Sequence, residues 1–282
     1  MQAHMEVITT IEELRRRLKN EPRVACVPTM GNIHDGHLRL IGIAHSEAPL
    51  VVTTIFVNRM QFTGGEDFER YPRTFEEDCE KLSTHGVHVV FHPDEAQMYP
   101  QPQTFVVEPP AIANKLEGRF RPGHFRGMAT VVLKLFNIVQ PQVAVFGKKD
   151  YQQLHIVQHM VEQLALPVSI VAAETRRAED GLALSSRNRY LGEAERREAP
   201  RLYQVLSQVK RVVEQGDRNF EAIEFAADAE LARHGWRVDY VVVRRRATLT
   251  APEPGDRELV ALGAAKLGDT RLIDNLEITV QG

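Results

Sequence analysis

The sequence predicts an α/β fold: a parallel sheet with helices on both faces, followed by a smaller α+β domain. Three observations carry this. Apolar runs rich in β-branched residues alternate with helical patterns from Arg23 to Ala172. The polar, glycine-bearing loops follow those runs, as at the C-terminal ends of parallel strands, where such sheets bind ligands. From about Gly181 the texture changes to charged amphipathic helices and then three β-like runs. We therefore expect residues 1–180 to form one domain and residues 181–282 a second, an ordinary size at roughly 100 residues.

In chain order, Thr9 or Thr10 caps a first helix, with Ile11, Leu14 and Leu18 at helical spacing and Glu12 and Glu13 in its first turn. Arg23–Val27 reads as a buried strand, and a helix begins near Leu38 and closes by Pro49. Leu50–Val57 is a second buried strand, with the loop Asn58–Gly65 hanging from its end. Phe75–Ser83 is a helix and Val87–Phe91 a third strand. A proline-rich passage surrounds a short β-like Phe105–Val107. Met128–Val139 (helix), Val143–Phe146 (strand), Gln152–Leu164 (helix) and Val168–Ala172 (strand) complete the first domain. In the second, Glu193–Glu214 and Phe220–His234 read as helices, and Val238–Val243, Glu258–Leu267 and Leu272–Val280 as strands.

With 282 residues and 43% apolar content, the chain is long enough for two cores. Its 35 basic and 38 acidic residues give a net charge of −3. That balance points away from nucleic acid or an anionic membrane as the main partner. Cys26 and Cys79 form no CxxC, and Cys26 lies in the first buried run, so a reduced thiol is expected. Met1–Lys19 has no signal-peptide pattern and no run approaches the ~20 apolar residues of a membrane span. A soluble cytoplasmic protein is the expectation.

The stretch around which the chain is organised is Met30-Gly31-Asn32-Ile33-His34-Asp35-Gly36-His37. It lies between a strand and a helix N-terminus, where free N–H groups and the helix dipole favour an anion. Gly36 lets backbone approach a phosphate, and His34 and His37, three residues apart, can both reach an α-phosphate as charge builds on it. A zinc site is disfavoured, since beyond Asp35 no third ligand is near. Gly147-Lys148-Lys149-Asp150 follows a strand and places a lysine within reach of a triphosphate. Leu184-Ser185-Ser186-Arg187 offers hydroxyls and a guanidinium as a phosphate clamp. Arg119, Arg121, His124 and Arg126 crowd into ten residues, a second anion-handling wall or a lid. Gln61 and Gln153 sit at strand ends as readers of a small polar substrate.

Together these stretches resemble the pantothenate synthetase (pantoate–β-alanine ligase) family. Matching segments include Val27–His37, Ile55–Asn58, Met60–Phe62, Arg70–Thr74, Arg121–Phe125, Lys149–Leu154, Asp180–Asn188, Gly268–Asp269 and Arg271–Asn275, in family order over nearly the whole chain. The resemblance implies a Rossmann-like nucleotidyltransferase domain and a C-terminal domain closing on it, in a homodimer. It implies ATP- and Mg²⁺-dependent condensation of (R)-pantoate with β-alanine through a pantoyl-adenylate, releasing AMP and pyrophosphate. It assigns Met30–His37, Gly147, Lys148, Lys149, Asp150, Arg176, Leu184, Ser185, Ser186 and Arg187 to ATP. His37 is the proton donor, and His34, Lys149, Ser185, Ser186 and Arg187 assist catalysis. Gln61 and Gln153 bind pantoate, Gln61 also β-alanine, and Tyr71 and Arg121 line the pocket. Glu77 and Asp78 are candidate Mg²⁺ ligands. The Leu184–Asn188 segment and the C-terminal domain are expected to shield the reactive mixed anhydride from water. The alternative is another HxGH nucleotidyl- or adenylyltransferase acting on a different small acid.

Three residues depart from the family pattern: Arg59 for proline, Lys148 for glutamate beside Lys149, and Arg176 for an apolar residue near adenine. Arg59 frees a backbone φ that proline would fix. Lys148 reverses a charge near the triphosphate, with tighter ATP contact and a less oriented Lys149 expected. Arg176 is expected to point to solvent.

Overall fold

The computed structural model describes residues 5–62 and 68–281. Residues 63–67, at the end of the expected Asn58–Gly65 loop, lie outside the described residues. Contacts divide the chain into two compact units. One is the chain as far as Lys148 together with Gln152–Glu174; the other is Lys149–Tyr151 together with the chain from Thr175 onward.

The first unit is built on period-two burial. Strands β1 (Glu6–Ile8), β2 (Val24–Thr29), β3 (Leu50–Ile55), β4 (Val89–Phe91), β5 (Val143–Gly147) and β6 (Ser169–Ala173) form one sheet in the order β1-β4-β3-β2-β5-β6. Every pairing is parallel. Successive strand residues enter opposite cores. Val24, Cys26, Val52, Phe91 and Phe146 pack with α1 (Ile11–Leu18), α6 (His124–Val139) and α7 (Tyr151–Gln163). Ala25, Val27, Val51, Val90 and Val145 pack with α2 (Asp35–Glu47) and α3 (Phe75–Thr84). Cys26 is fully buried, and burial pushes its thiol pKa up to about 12. From β2 the chain adds β3 and β4 on one side and later β5 and β6 on the other. The β2–β5 boundary is therefore the switch point where an open α/β sheet forms its ligand crevice.

Several elements differ from expectation for local reasons. β1 is a three-residue edge strand, too short to show alternation, and it pairs with β4 some eighty residues away. Phe105–Val107 is not a strand: the Val107 N–H donates to Thr130 Oγ1 (3.0 Å), and Phe105 is exposed. The short helices α4 (Glu95–Met98) and α5 (Glu117–Phe120) fill the proline-rich passage and its sequel. Helix α6 starts at His124, because Gly123 takes a left-handed φ of +83° there.

In the second unit the expected Glu193–Glu214 helix is two, α8 (Glu193–Glu198) and α9 (Arg201–Glu214), broken at Pro200, which has no N–H to continue the first. Strands β7 (Arg237–Arg245), β8 (Glu258–Leu267) and β9 (Thr270–Thr279) form an antiparallel sheet. Leu202, Val205, Leu206, Val209 and Val213 line the buried face of α9 at helical spacing, and Ile223, Ala227 and Leu231 that of α10 (Phe220–Arg233). The fold is thus a Rossmann-like parallel sheet with helices on both faces plus a smaller α+β part. Among the described residues, no helix is long and apolar enough to cross a membrane.

Candidate active site

Strand β2 delivers the chain into Met30–Ile33, and α2 begins at Asp35 with His34 as its N-cap. The His34 Nδ1 accepts the Gly36 N–H (3.1 Å), and the His37 Nδ1 accepts the His34 N–H (3.4 Å). The two imidazoles thus form a reciprocal capping box, the role usually taken by a hydroxyl and a carboxylate. Their ring centroids lie 4.1 Å apart, tilted by 35°. An Nδ1 that accepts from a backbone N–H carries no proton, so each neutral ring holds its hydrogen on Nε2. The box fixes two Nε2–H donors side by side, suited to anionic oxygens.

The expectation of free N–H groups in this turn is corrected. The Asn32, Ile33, His34 and Gly36 amides all donate within the chain, the first two to Asp78. Asp78 is buried, and its carboxylate also accepts the Thr74 hydroxyl at 3.2 Å. Those bonds aim donor hydrogens at both oxygens, the wrong polarity for a shared cation. Glu77 is exposed on the same helix. Among the described residues no group of three or more His, Cys, Asp or Glu could hold a metal ion. Asp78, with both oxygens taken by donors, therefore does not fit a Mg²⁺ ligand, and Glu77 is the exposed carboxylate beside it.

The loop after β3 is a polar network. Asn58 Nδ2 donates to the Gly127 carbonyl and to Gln61 Oε1, both at 3.1 Å. A carbonyl only accepts, so this pairing fixes which end of the Asn58 amide is nitrogen and, in turn, the Gln61 amide. Tyr99 donates to Asn58 Oδ1 at 2.7 Å, and burial raises the Tyr99 pKa, keeping it a donor. Gln61 Nε2 reaches Met30 Sδ (3.2 Å), joining this loop to the His turn. His124, buried, is set against the Gln61 carbonyl through Nδ1 (2.8 Å) and against Arg121 Nη1 through Nε2 (3.1 Å). Gly127 permits the contact: a Cβ there would meet the Met60 carbonyl oxygen at 2.0 Å. Tyr71 is buried, edge-on to Phe62 at 5.8 Å. A cavity of about 310 Å³ opens beside Met30 and Gly31, walled by Phe56, Val57, Thr74 and Asp78. Sequence reading flagged the Asn58–Phe62 loop and the arginine-rich stretch ending at Gly127 but gave Asn58 and Gly127 no role beside Gln61, and it missed Tyr99; the Asn58–Gln61 spacing was the available signal.

The departures from the family pattern resolve locally. Arg59 lies over the Phe68 ring (4.1 Å) and pairs with Glu69 and Glu95. Lys148 Nζ lies 2.5 Å from Glu174 Oε1, so its reversed charge has a carboxylate partner just past the neighbouring strand. Gly147 ends β5, and Gln153 is half-buried on α7, whereas the adjacent Gln152 is structural, tied to Ile112, Lys115 and Glu117.

In the second unit, Lys149 Nζ lies 3.8 Å from Asp150, and Asn275 Nδ2 holds the Lys149 carbonyl at 2.9 Å. Ser185 Oγ accepts the Arg187 N–H (3.3 Å) and caps a 3-10 turn from Ser186 to Tyr190. Leu184 N–H bonds the Arg176 carbonyl (3.0 Å), while the Arg176 side chain is exposed. Arg177 anchors the base of this segment with two bonds to the buried Asp274 carboxylate, at 2.6 and 2.8 Å.

Comparison with known proteins supplies the family. A model of the pantoate-β-alanine ligase family matches residues 6–277. A pantothenate synthetase from Nitrosospira multiformis is 63% identical over 275 residues, 98% of this chain and 99% of that protein. One from Chromobacterium violaceum is 56% identical over 97% of this chain and 99% of its own length. The crystal structure of pantothenate synthetase from Thermus thermophilus matches with a TM-score of 0.92 at 42% identity, over 98% of this chain and 100% of that one. The pantoate-β-alanine ligase from Francisella tularensis, solved with β,γ-ATP and β-alanine, matches with a TM-score of 0.75 at 32% identity, over 96% and 97% of the two chains. By a family match over nearly its full length, and by relatives sharing more than half its residues, this chain belongs to the pantoate-β-alanine ligase family.

Proposed function

We propose that this chain joins (R)-pantoate to β-alanine at the expense of ATP, through a pantoyl-adenylate. A pantoate carboxylate oxygen attacks the α-phosphorus, the bond to the bridging oxygen breaks, and pyrophosphate leaves. The β-alanine amine then attacks the acyl carbon, the bond to the AMP oxygen breaks, and AMP leaves. The carboxylate is already ionised near neutral pH, so the first step needs positioning and relief of phosphate charge more than a base. The observation that carries this reading is the His34–His37 box at the end of β2, which offers paired Nε2–H donors. Neutral rings in that tautomer have no Nε2 lone pair to take the amine proton, so we assign it to the departing AMP phosphate.

Within this reading His34 and His37 act on the α-phosphate, and Gln61, its amide set by Asn58, presents a donor to pantoate. Met30, Gly31, Gly147, Lys148, Asp150 and Leu184 serve the nucleotide, and Lys149, Ser185, Ser186 and Arg187 its phosphates. Gln153 assists with pantoate, Gln61 with β-alanine, and Tyr71 and Arg121 support the pocket. Mg²⁺ enters as a counter-ion of the triphosphate, held by phosphate oxygens and water. We further propose a cytoplasmic location and a homodimer; light scattering tests the dimer.

The deciding assay is AMP formation. It should require pantoate and β-alanine together, and pantoate alone should support ATP–pyrophosphate exchange. Exchange driven equally well by an unrelated carboxylic acid would move the substrate elsewhere.

A further inference from the structure

Helix α3 grips the turn before the His pair through two side chains three residues apart, on one helix face. Asp78, 1% exposed, accepts the Asn32 N–H at 2.8 Å and the Ile33 N–H at 2.7 Å. Lys81 donates Nζ to the Ile33 carbonyl at 2.9 Å. The turn needs holding: Gly31 and Asn32 sit consecutively at positive φ, +83° and +53°. Successive amides in such a turn converge on one side and form a concave anion site. Here the anion is internal. A Cβ on Gly31 would also come within 3.0 Å of Asp78 Oδ2, so turn and carboxylate fit closely.

We propose that Asp78 and Lys81 are positioning residues of the reaction. They clamp the Gly31–Ile33 backbone from both its donor and its acceptor side, and Asp78 acts as a built-in anion for that turn rather than as a metal ligand. The Asn32–Ile33 amide pair is thereby closed to substrate phosphate, which falls to the two imidazoles and the start of α2. The clamp sets the chain two residues before His34, and so the angle at which the capping box presents its Nε2–H donors.

This inference rests on the nucleotide reading of the His turn, and its test separates the two. Asp78→Asn keeps the shape but turns an amino group toward one of the two N–H groups. Lys81→Met removes only the carbonyl contact, from a half-buried position where folding should survive. In full-length protein, Asp78→Asn should weaken binding of a non-hydrolysable ATP analogue, measured in EDTA, and slow AMP formation by ~10- to 100-fold. Lys81→Met should shift both in the same direction by less. Amide exchange at Asn32 and Ile33 should speed up in both variants. Mn²⁺ binding to the nucleotide-free protein, read by electron paramagnetic resonance, should match wild type in both.

Loss of Mn²⁺ binding in Asp78→Asn, with unchanged metal-free analogue affinity, would make Asp78 a metal ligand and overturn the proposal. Wild-type affinity and turnover in both variants would also overturn it while leaving the nucleotide reading intact. A wild-type protein that binds no analogue would remove the nucleotide reading, and this inference with it.

Discussion

At the scale of single residues, His34 has two separable jobs. Its Nδ1 caps α2, which leaves the Nε2–H on the opposite edge of the ring for the chemistry. Asparagine can do the first, but its amide N–H stops short of the Nε2 position. His34→Asn should keep stability within about 0.5 kcal/mol while AMP formation falls ~100- to 1000-fold. His34→Ala should lose about 1 kcal/mol as well, because the Gly36 amide loses its acceptor. Urea denaturation alongside the AMP assay separates the effects; equal activity in the Asn variant would remove the Nε2–H from the chemistry. Lys148 makes a second case. Its ion pair with Glu174, which is itself largely exposed, supports only a small coupling. Lys148→Glu should cost about 0.5 kcal/mol, and Lys148→Glu with Glu174→Lys should recover it. The sequence revealed the reversed charge at Lys148 but not its partner, which is supplied by strand register.

At the scale of elements, α7 carries a buried titratable ring. His155 is lowered to about 4, first by burial and then by the neighbouring His159, whose ring lies 4.1 Å away. The folded state holds this imidazole neutral, whereas the unfolded chain protonates it near its usual 6.5. Between those values the unfolded state binds more protons, so stability rises with pH through that window and is lost as pH falls from 6.5 toward 4. His155→Leu should flatten that part of the profile in denaturation midpoints taken from about pH 4 to 7. An unchanged slope would place the acid sensitivity elsewhere. Nothing in the helical pattern of Gln152–Leu164 marks His155 as different from His159; only the packing of α7 on the sheet does.

At the scale of the whole molecule, the chain makes separate apolar cores in its two units. The second is pinned by Arg177, which pairs with Asp274 and lies over the Tyr203 ring at 4.2 Å. Removing the cation strands a buried carboxylate, so Arg177→Met should destabilise that unit by about 3–5 kcal/mol. The chain's one tryptophan, Trp236, is buried in the same core and reports on it alone. In urea, the Trp236 fluorescence midpoint should drop in this variant and separate from the far-UV dichroism of the whole chain. Coincident transitions would mean that the two cores melt as one.

The sequence by itself determined the strand–loop–helix order, the placement of the HxGH turn after β2, and the family. The first two follow from short-range pattern, β-branched runs, helical periodicity and glycine in a turn; the family follows from a resemblance of motif segments in order along the chain. It also singled out Gln61 as a pantoate reader and Asp78 as a candidate Mg²⁺ ligand, without revealing what either touches. Tertiary structure alone decided that the amides of Asn32 and Ile33 are taken by Asp78, forty-six and forty-five residues away. It likewise decided that Asn58, Gly127 and Tyr99 set the polarity of the Gln61 amide. The reason is physical. A hydrogen-bond donor is fixed in kind by its residue, but the atom it serves is fixed by packing, and packing brings α3 and α6 against loops far from them in the chain.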